Sequence, residues 1–297
     1  MPIDECIIAV FCCIETLMRG GLATRPLRQR GFAPRLTDSE VLTMEVVGEL
    51  LGLDTDKQIW RYFRRHWLAW FPGLGVRSTF VRHAANLWAV KQVLHGQLAQ
   101  NLGAYTSPIH IVDGFPMPLC HLARAKRGKL LRDVAAVGYC ATKEKYYWGL
   151  HGHVVISRTG VITGFAATAA NVDERVALFD VLDNLQGLLI GDKGYLSKAL
   201  HDDLAQYQSI KLQTPLRVNM TETRDPRVVR QLVSTRRLVE TVIGQLTERF
   251  HLQKIWARDL WHLTSRVGRK ILAHTMGIFL NTMLGREPLQ FDEIIVD

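Results

Sequence analysis

The run Ile109-His110-Ile111-Val112-Asp113 decides the fold class, because it is the first strand-like segment after a long region of helical periodicity. It is followed by Gly-Phe-Pro-Met-Pro at 114–118, which predicts that the strand ends at Asp113, since proline cannot donate to a sheet ladder. A second apolar run, Leu188-Leu189-Ile190-Gly191-Asp192, also ends on an aspartate. We therefore expect two buried strands that each end on an acid.

The segments around these runs alternate between strand and helix periods. Residues 146–157 and 161–167 predict a hairpin, and residues 210–214 predict a last strand. Helical patterns occur at 173–185, 196–207 and 226–250. This order predicts an α/β (α+β) fold with one mixed five-stranded sheet and helices on its faces.

The region before residue 105 predicts helices only. Thr37 and Glu40 form a capping box at the start of one helix, and further helices follow at 56–70 and 78–102. Short helices with basic and aromatic residues are typical of helix-turn-helix DNA readers, and a helical packing or dimerisation domain fits the same pattern. On the first interpretation the helix from Ser78 reads DNA. Its candidate contact residues are Arg77, Arg82 and Asn86.

The length of 297 residues allows about two domains and a sizeable core. We expect a helical DNA-binding domain at 1–104 and an α/β domain at 105–256. Residues 257–297 predict a C-terminal helical extension that packs on the α/β domain. With 47% hydrophobic residues, the composition is that of a globular protein and excludes disordered and collagenous classes.

Five cysteines without a C-x-x-C pair make a disulfide framework or a structural zinc site unexpected. The apolar run at 6–14 is preceded by acids and is too short to cross a bilayer, so we expect a cytoplasmic protein without a membrane partner.

The net charge of +9 predicts a polyanionic partner, because cations set against phosphates release condensed counterions. The basic residues are clustered, although any one cluster is more often simply a solvated face. One cluster, between the first strand and the hairpin, supplies candidate DNA contacts. They are Arg124, Lys126, Arg127 and Lys129.

Asp113 and Asp192 stand at equivalent strand ends, where ligand sites of open α/β sheets form. Two converging carboxylates repel unless a cation lies between them, so the pair predicts a divalent metal, with Mg²⁺ the natural choice for oxygen ligands. The alternative is that each aspartate only caps the turn after it. On the helix at 226–250, Glu240 lies at the edge of the apolar stripe and can reach the site, whereas Glu248 should point into water.

Other candidate ligands are less convincing. Cys120-His121 and His151-Gly152-His153 fit no zinc spacing and favour packing or a DNA contact. No strand delivers the competing acids of the 173–185 helix to the site. These are Asp173, Asp180 and Asp183.

Three segments carry a family resemblance. IHIVDGFPMPLC, LLIGDKGY and RRLVETVIGQLTERF occur in this order and resemble the acid-bearing motifs of the DDE transposases of bacterial insertion sequences. The D-x-F-P-x-P-x-C start, GYCATKEKYYW and WARDLWHLTSR most resemble the insertion sequence 982 family. The resemblance runs from the helical N-terminal region to near the C-terminus.

The resemblance implies an RNase H-like catalytic domain in which Asp113, Asp192 and Glu240 hold two Mg²⁺ ions, with Mn²⁺ as a substitute. Related transposases often carry Y-x-x-R-x-x-x-E-x-x-x-x-x-x-K around the third acid. This chain keeps Arg236 but has Val233 at the tyrosine position and Thr247 at the lysine position. The candidates to hold phosphate instead are Lys193, Tyr195 and Arg237.

The implied function is metal-assisted cleavage at element ends, followed by transfer of the liberated 3′-hydroxyls into target DNA. The implied partners are double-stranded DNA, both terminal inverted repeats and target, and a second copy of the chain to pair two ends; a small-molecule substrate is not expected. The location would be the bacterial nucleoid. Two alternatives remain open: an inactive DNA-binding relic, and an RNase H-like nuclease that cleaves without joining.

Overall fold

The computed structural model describes residues 1–21, 33–125, 131–140 and 144–296. The chain forms two compact units, of which one contains residues 1–98 and 248–297 and the other contains residues 99–247. The first unit is helical and the second is built on a sheet. In the described part of the chain, no helix is both long enough and apolar enough to cross a membrane.

The helical unit is organised around one buried helix, α2, whose residues are almost all inaccessible to solvent. The predicted capping box starts it: the Thr37 hydroxyl accepts from the Glu40 amide at 3.2 Å, and Glu40 accepts from the Thr37 amide at 2.6 Å. A second capping box, at Thr55 and Gln58, starts α3. The helices of this unit are α1 (Ile3–Gly21), α2 (Asp38–Leu50), α3 (Asp56–His66), α4 (Arg77–Asn86) and α10 (Leu260–Met283). Helix α5 (Trp88–Asn101) begins in this unit and ends just beyond its limit at residue 98.

The helix predicted over 78–102 is two helices. The backbone leaves the helical conformation at Leu87, whose side chain is buried. A break of this kind is decided by tertiary packing, which overrides the continuous helical pattern of the sequence.

Residues 248–297 lie in the same unit as residues 1–98. Within this unit α10 packs on α2 and α4; the packing of 257–297 on the α/β domain stays a prediction. Besides a long apolar face, α10 brings buried cations into this unit: the carboxylate partners of Arg269 and Lys270 are Glu49 on α2 and, for Arg269, also Asp56 on α3. A buried cation needs such partners to offset its desolvation.

Acid should weaken this unit through His274. Its imidazole is completely buried beside the rings of Phe250 and Phe291, and burial lowers its pKa to about 3. As the pH falls below 6.5, His274 gains a proton in the unfolded chain but stays neutral in the native chain, so the free energy of unfolding decreases. This loss is complete near pH 3. At pH 5 we expect a loss of about 2 kcal/mol relative to pH 7.5.

Urea denaturation at the two pH values measures this loss, and His274→Gln is the comparison. The variant should lack this part of the pH dependence, whatever its stability at pH 7.5. Equal pH dependence in the two proteins would contradict the assignment to His274.

The second unit contains a six-stranded mixed sheet in the order β2-β3-β1-β5-β6, with β4 also paired to β3. The predicted fold class is confirmed, with six strands rather than five. The additional strand is β2, which pairs with the first part of β3, while β4 pairs with the rest of it. The strands are β1 (Ile109–Cys120), β2 (Ala136–Cys140), β3 (Lys145–Ser157), β4 (Ile162–Ala169), β5 (Gly187–Ile190) and β6 (Ile210–Gln213).

Strand β1 does not end at Asp113, contrary to the sequence prediction. It continues through Pro116 and Pro118 and stays paired with β3 to Cys120. Its other neighbour, β5, pairs only with Ile109–Ile111, so the later part of β1 has one paired edge among the described strands. Proline is tolerated in a strand where the edge that lacks its N–H is unpaired.

Helices and short turns cover this sheet. The helix expected over 173–185 is a single turn followed by a 3₁₀ turn at Leu178–Val181. The helix expected over 226–250 is α-helical up to Gly244, and one π turn, Gln245–Arg249, follows it. The helices are α6 (Leu122–Ala125), α7 (Glu174–Ala177), α8 (Lys198–Gln208) and α9 (Pro226–Gly244).

Candidate active site

The pairing of β1 with β5 brings the two predicted aspartates to the same position along the sheet. The strands are parallel and Ile111 is level with Ile190, so Asp113 and Asp192 each follow the paired residues by two positions. Asp192 lies just after β5, where its carboxylate accepts from the Gly194 amide at 2.7 Å and caps a 3₁₀ turn. Asp192 therefore caps the turn after it, which was the alternative to a metal-binding role. The same residue still lies level with Asp113 at this edge of the sheet.

The Asp113 carboxylate is held in an environment of competing charges. Its side chain is only 16% exposed, and burial is the main reason that its pKa is raised. The Arg236 guanidinium acts in the opposite direction, whereas the negative charge of Asp192 raises the pKa further. Two carboxylates at the same level of neighbouring strands repel each other, and the direction of this effect agrees with the strand register.

Helix α9 packs on β1 and carries the third candidate acid, Glu240. Arg236 donates from Nη2 to Oδ2 of Asp113 at 3.0 Å, and its Nη1 lies 4.0 Å from Oε1 of Glu240. Arg236 therefore links the first and third acids. Val239 and Val242 are buried on the apolar face of α9, and Glu248 is exposed, as the helical wheel predicted.

The donors of this site fit a hard divalent cation. Carboxylate oxygens are the preferred ligands of Mg²⁺, and Arg236 is the cation that partly offsets the charge of Asp113. Within the described residues, no group of three or more His, Cys, Asp or Glu side chains is already arranged as a metal site. The Arg236 guanidinium, which contacts Asp113 and approaches Glu240, takes the place of a cation between those two acids.

A fourth carboxylate, Glu174, lies beside the site. A Cβ atom added to Gly194 would lie 2.9 Å from Oε2 of Glu174 and 2.9 Å from Oδ1 of Asp192. The two carboxylate oxygens are therefore separated by at most twice that distance. Oε1 of Glu174 lies 3.2 Å from Nε2 of His151 on β3. The sequence showed Glu174 only as an acid in the first turn of a helix, which is an ordinary position, and nothing local indicated its neighbours.

Gly114 makes room for this contact. A Cβ atom there would be 2.4 Å from Nε2 of His151 and 3.2 Å from Oε1 of Glu174. The glycine after the first aspartate therefore keeps the space between β1 and the Glu174–His151 pair open.

Tyr195 corrects one prediction. Its side chain is completely buried and belongs to the apolar core with Val112 and Leu189, so its ring offers no surface to DNA. The period of the 3₁₀ turn after Asp192 directs Tyr195 inward and leaves Lys193 exposed. Burial and the charges of Glu174 and the two aspartates raise the pKa of Tyr195, so its hydroxyl stays protonated.

The other predicted DNA contacts have different locations. Lys193 and Arg237 are exposed in the sheet unit, and Arg77, Arg82 and Asn86 are exposed on α4 in the helical unit. Arg124 lies in α6, with its side chain outside the described set, and Lys126, Arg127 and Lys129 lie outside the described residues altogether. Thr247, at the position of the family's lysine, donates its hydroxyl to the Ile243 carbonyl at 2.8 Å.

Acids gathered at one place on a sheet, with an arginine among them, form the donor set of metal-dependent enzymes that act on phosphodiesters. The family model described as transposase DDE domain matches residues 103–259, which is more than half of the chain and contains all three predicted acids. The chain therefore belongs to the DDE transposase family of enzymes.

One solved structure similar to this chain is the cryo-EM structure of the piggyBac transposase synaptic complex with hairpin DNA. The TM-score is 0.48 at 11% sequence identity, over 98% of this chain and 78% of that chain. No curated protein matches the sequence. The finer assignment to the insertion sequence 982 family stays a prediction.

Proposed function

We propose that this transposase belongs to an insertion sequence, cleaves DNA at the ends of its element and joins the liberated 3′-hydroxyls to target DNA with the help of Mg²⁺. The observation that carries the proposal is the side-by-side placement of Asp113 and Asp192, with Arg236 linking Asp113 to Glu240. The family match supports the same reaction class.

Asp113, Asp192 and Glu240 would hold two Mg²⁺ ions, or Mn²⁺ in their place. Bound there, the ions supply charge neutralisation and lower the pKa of an attacking water or hydroxyl. Arg236 keeps the Asp113 carboxylate oriented, and its guanidinium opposes the effect of burial on the pKa of that carboxyl. Lys193 and Arg237 would hold DNA phosphates, and their exposure supports this role.

The chemistry consists of two displacements at phosphorus. In the first, a water oxygen bonds to phosphorus and the 3′-oxygen of the element end leaves, taking up a proton as a 3′-hydroxyl. In the second, that hydroxyl loses its proton, attacks a target phosphodiester and displaces another 3′-oxygen. Neither step requires a covalent protein nucleophile.

The partners we propose are double-stranded DNA, as terminal repeats and as target, and a second copy of the chain to pair two ends. The net charge of +9 and the exposed basic residues of α4 support DNA. In this proposal residues 105–256 carry the chemistry, residues 1–104 bind element ends, and the protein acts at the bacterial nucleoid.

A strand-transfer assay tests the proposal. Purified full-length protein is incubated with labelled element ends and a supercoiled target plasmid, with Mg²⁺ or with EDTA. We expect joined products only with Mg²⁺. Cleaved ends without joining would identify a nuclease, and DNA binding without nicking would identify an inactive relic; either result contradicts the proposal.

Glu174 provides a finer prediction for the same assay. Its carboxylate lies beside Asp192 and contacts His151, so it adds negative charge and order around the proposed metal ligands. Loss of such a supporting group typically costs about 10–100-fold in metal affinity or activity. We expect Glu174→Gln to raise the Mg²⁺ concentration for half-maximal cleavage by about tenfold or more. Glu248→Gln, at an exposed site, is the control, and equal Mg²⁺ curves for the two variants would remove Glu174 from the site.

A further inference from the structure

Helix α1 is apolar on two opposite faces. On one face, Cys6, Val10 and Ile14 are completely buried, and the helix packs on α2. On the other face, Ile8 is 51% exposed, and Cys12, one turn further along, is exposed as well. A helix that buries only one side normally carries polar residues on the other. The second apolar face of α1 therefore indicates a surface that another molecule covers.

A groove of about 430 Å³ lies beside this second face. Residues of α1, the start of α2 and the segment at 70–71 line it, and Trp70 in its wall is 45% exposed. Ile8 belongs both to the groove and to the outer side of the helix, so the two form one continuous surface. We call this surface the α1 face and define it by Ile8, Phe11, Cys12 and Trp70. Contiguous exposed apolar surface of this kind marks an interaction site.

The charges around the α1 face disfavour DNA as the molecule that covers it. Within the described lining of the groove, the charged residues are Glu15 and Glu40, which are both acids. Asp4 and Glu5 are exposed in the first turn of α1. Carboxylates repel phosphates, so this part of a chain with a net charge of +9 favours a protein partner.

The exposed residues of α1 point to a second copy of the same helix. Glu5, Ile8, Cys12, Thr16 and Arg19 are all exposed, and they form one stripe because they follow one another at spacings of three or four. An antiparallel copy with its two-fold axis at Cys12 sets Ile8 opposite Thr16 and Glu5 opposite Arg19. Opposite charges then meet at both ends of the pair. A parallel copy would set like charges against each other at both ends.

We propose that two copies of the chain pair through their α1 faces, with the α1 helices antiparallel and Cys12 at the two-fold axis. The inference deepens the proposed function, which calls for a second copy, and rests on it for the role of the pair. An antiparallel arrangement uses the same patch on both copies, as a two-fold dimer requires. Arg19 is 83% exposed, and its ion pair with Glu15 lies at the surface, where such a pair contributes little. The Arg19 guanidinium can therefore turn to the acids of a second copy.

Cross-linking of the DNA-free protein at Cys12 is the first test. Full-length protein at micromolar concentration is treated with a short bismaleimide, and the products are separated on a denaturing gel. Packed helices lie about 8–10 Å apart, so the two Cys12 thiols are within reach of the reagent. We expect a covalent dimer that is lost in Cys12→Ser. Cys140→Ser, at a half-buried cysteine of the sheet unit, is the matched control and should keep it.

Analytical ultracentrifugation then measures the dissociation constant of the pair. We expect Ile8→Lys to raise it at least about tenfold, because the pair covers the half-exposed isoleucine of each copy. Val228→Lys is the control, since Val228 on α9 is 46% exposed and lies outside the α1 face. Arg19→Glu should raise the dissociation constant about 3- to 10-fold, because it sets like charges against each other at both ends. Adding Glu5→Arg to that variant should restore pairing.

Circular dichroism melting establishes that each variant folds. A protein that sediments as a monomer, or a cross-linked dimer that persists in Cys12→Ser, would overturn the proposal. Equal dissociation constants for Ile8→Lys and Val228→Lys would overturn it too. If Glu5→Arg does not restore the pairing of Arg19→Glu, the antiparallel arrangement is wrong. Failure of strand transfer by a protein that still pairs through Cys12 would contradict only the proposed function.

Discussion

Asp113→Asn should lower the rate of cleavage at element ends by at least about 10³-fold, because a metal site contributes several kcal/mol to transition-state stabilisation. The neutral amide cannot share a cation with Asp192, and it leaves Arg236 without its partner at 3.0 Å. Asp192→Asn and Glu240→Gln should have the same effect. The measurement is single-turnover cleavage of a labelled element end in Mg²⁺.

DNA binding separates a loss of chemistry from a loss of folding. All three variants should bind element ends in EDTA with nearly the affinity of the unmodified protein. Asp180→Asn is the control, because Asp180 is exposed in the 3₁₀ turn after α7 and competed with the other acids in the sequence alone. Full cleavage by any one of the three variants would remove that residue from the mechanism.

Arg269→Met should lower the free energy of unfolding by about 3–5 kcal/mol, the cost of leaving buried charges without a partner. Arg269 is completely buried on α10. Its guanidinium bonds to Glu49 at 2.6 Å, to Asp56 at 2.5 Å and to the Asp54 carbonyl at 3.2 Å. Methionine matches the length of the side chain but leaves two buried carboxylates with fewer cations.

Denaturant unfolding followed by circular dichroism measures this loss. Arg258→Met, at an exposed position, should change stability little. If Arg269→Met does not fold, Arg269→Lys keeps the charge with fewer hydrogen bonds and should be destabilised by a smaller amount. Stability of Arg269→Met equal to that of Arg258→Met would show that the buried ion pairs do not hold α10 in the helical unit.

Local patterns predicted the features of the fold and of the site that depend on neighbours in the chain. The capping box at Thr37 and Glu40, the apolar run before Asp192 and the apolar stripe beside Glu240 each depend on a few adjacent residues, and they occur as predicted. The end of β1 was mispredicted because the tolerance of Pro116 and Pro118 depends on a missing neighbour strand.

The sequence by itself determined the mixed sheet and most of its strands and singled out the three candidate acids, because periodicity and turn chemistry are properties of short segments. Only the tertiary structure decided which side chains meet. It put Glu174 beside Asp192, buried Tyr195 in the core and joined residues 248–297 to the first 98 residues. Such contacts depend on which distant surfaces leave water together, and above all on which buried charges find a partner, and no local pattern records that.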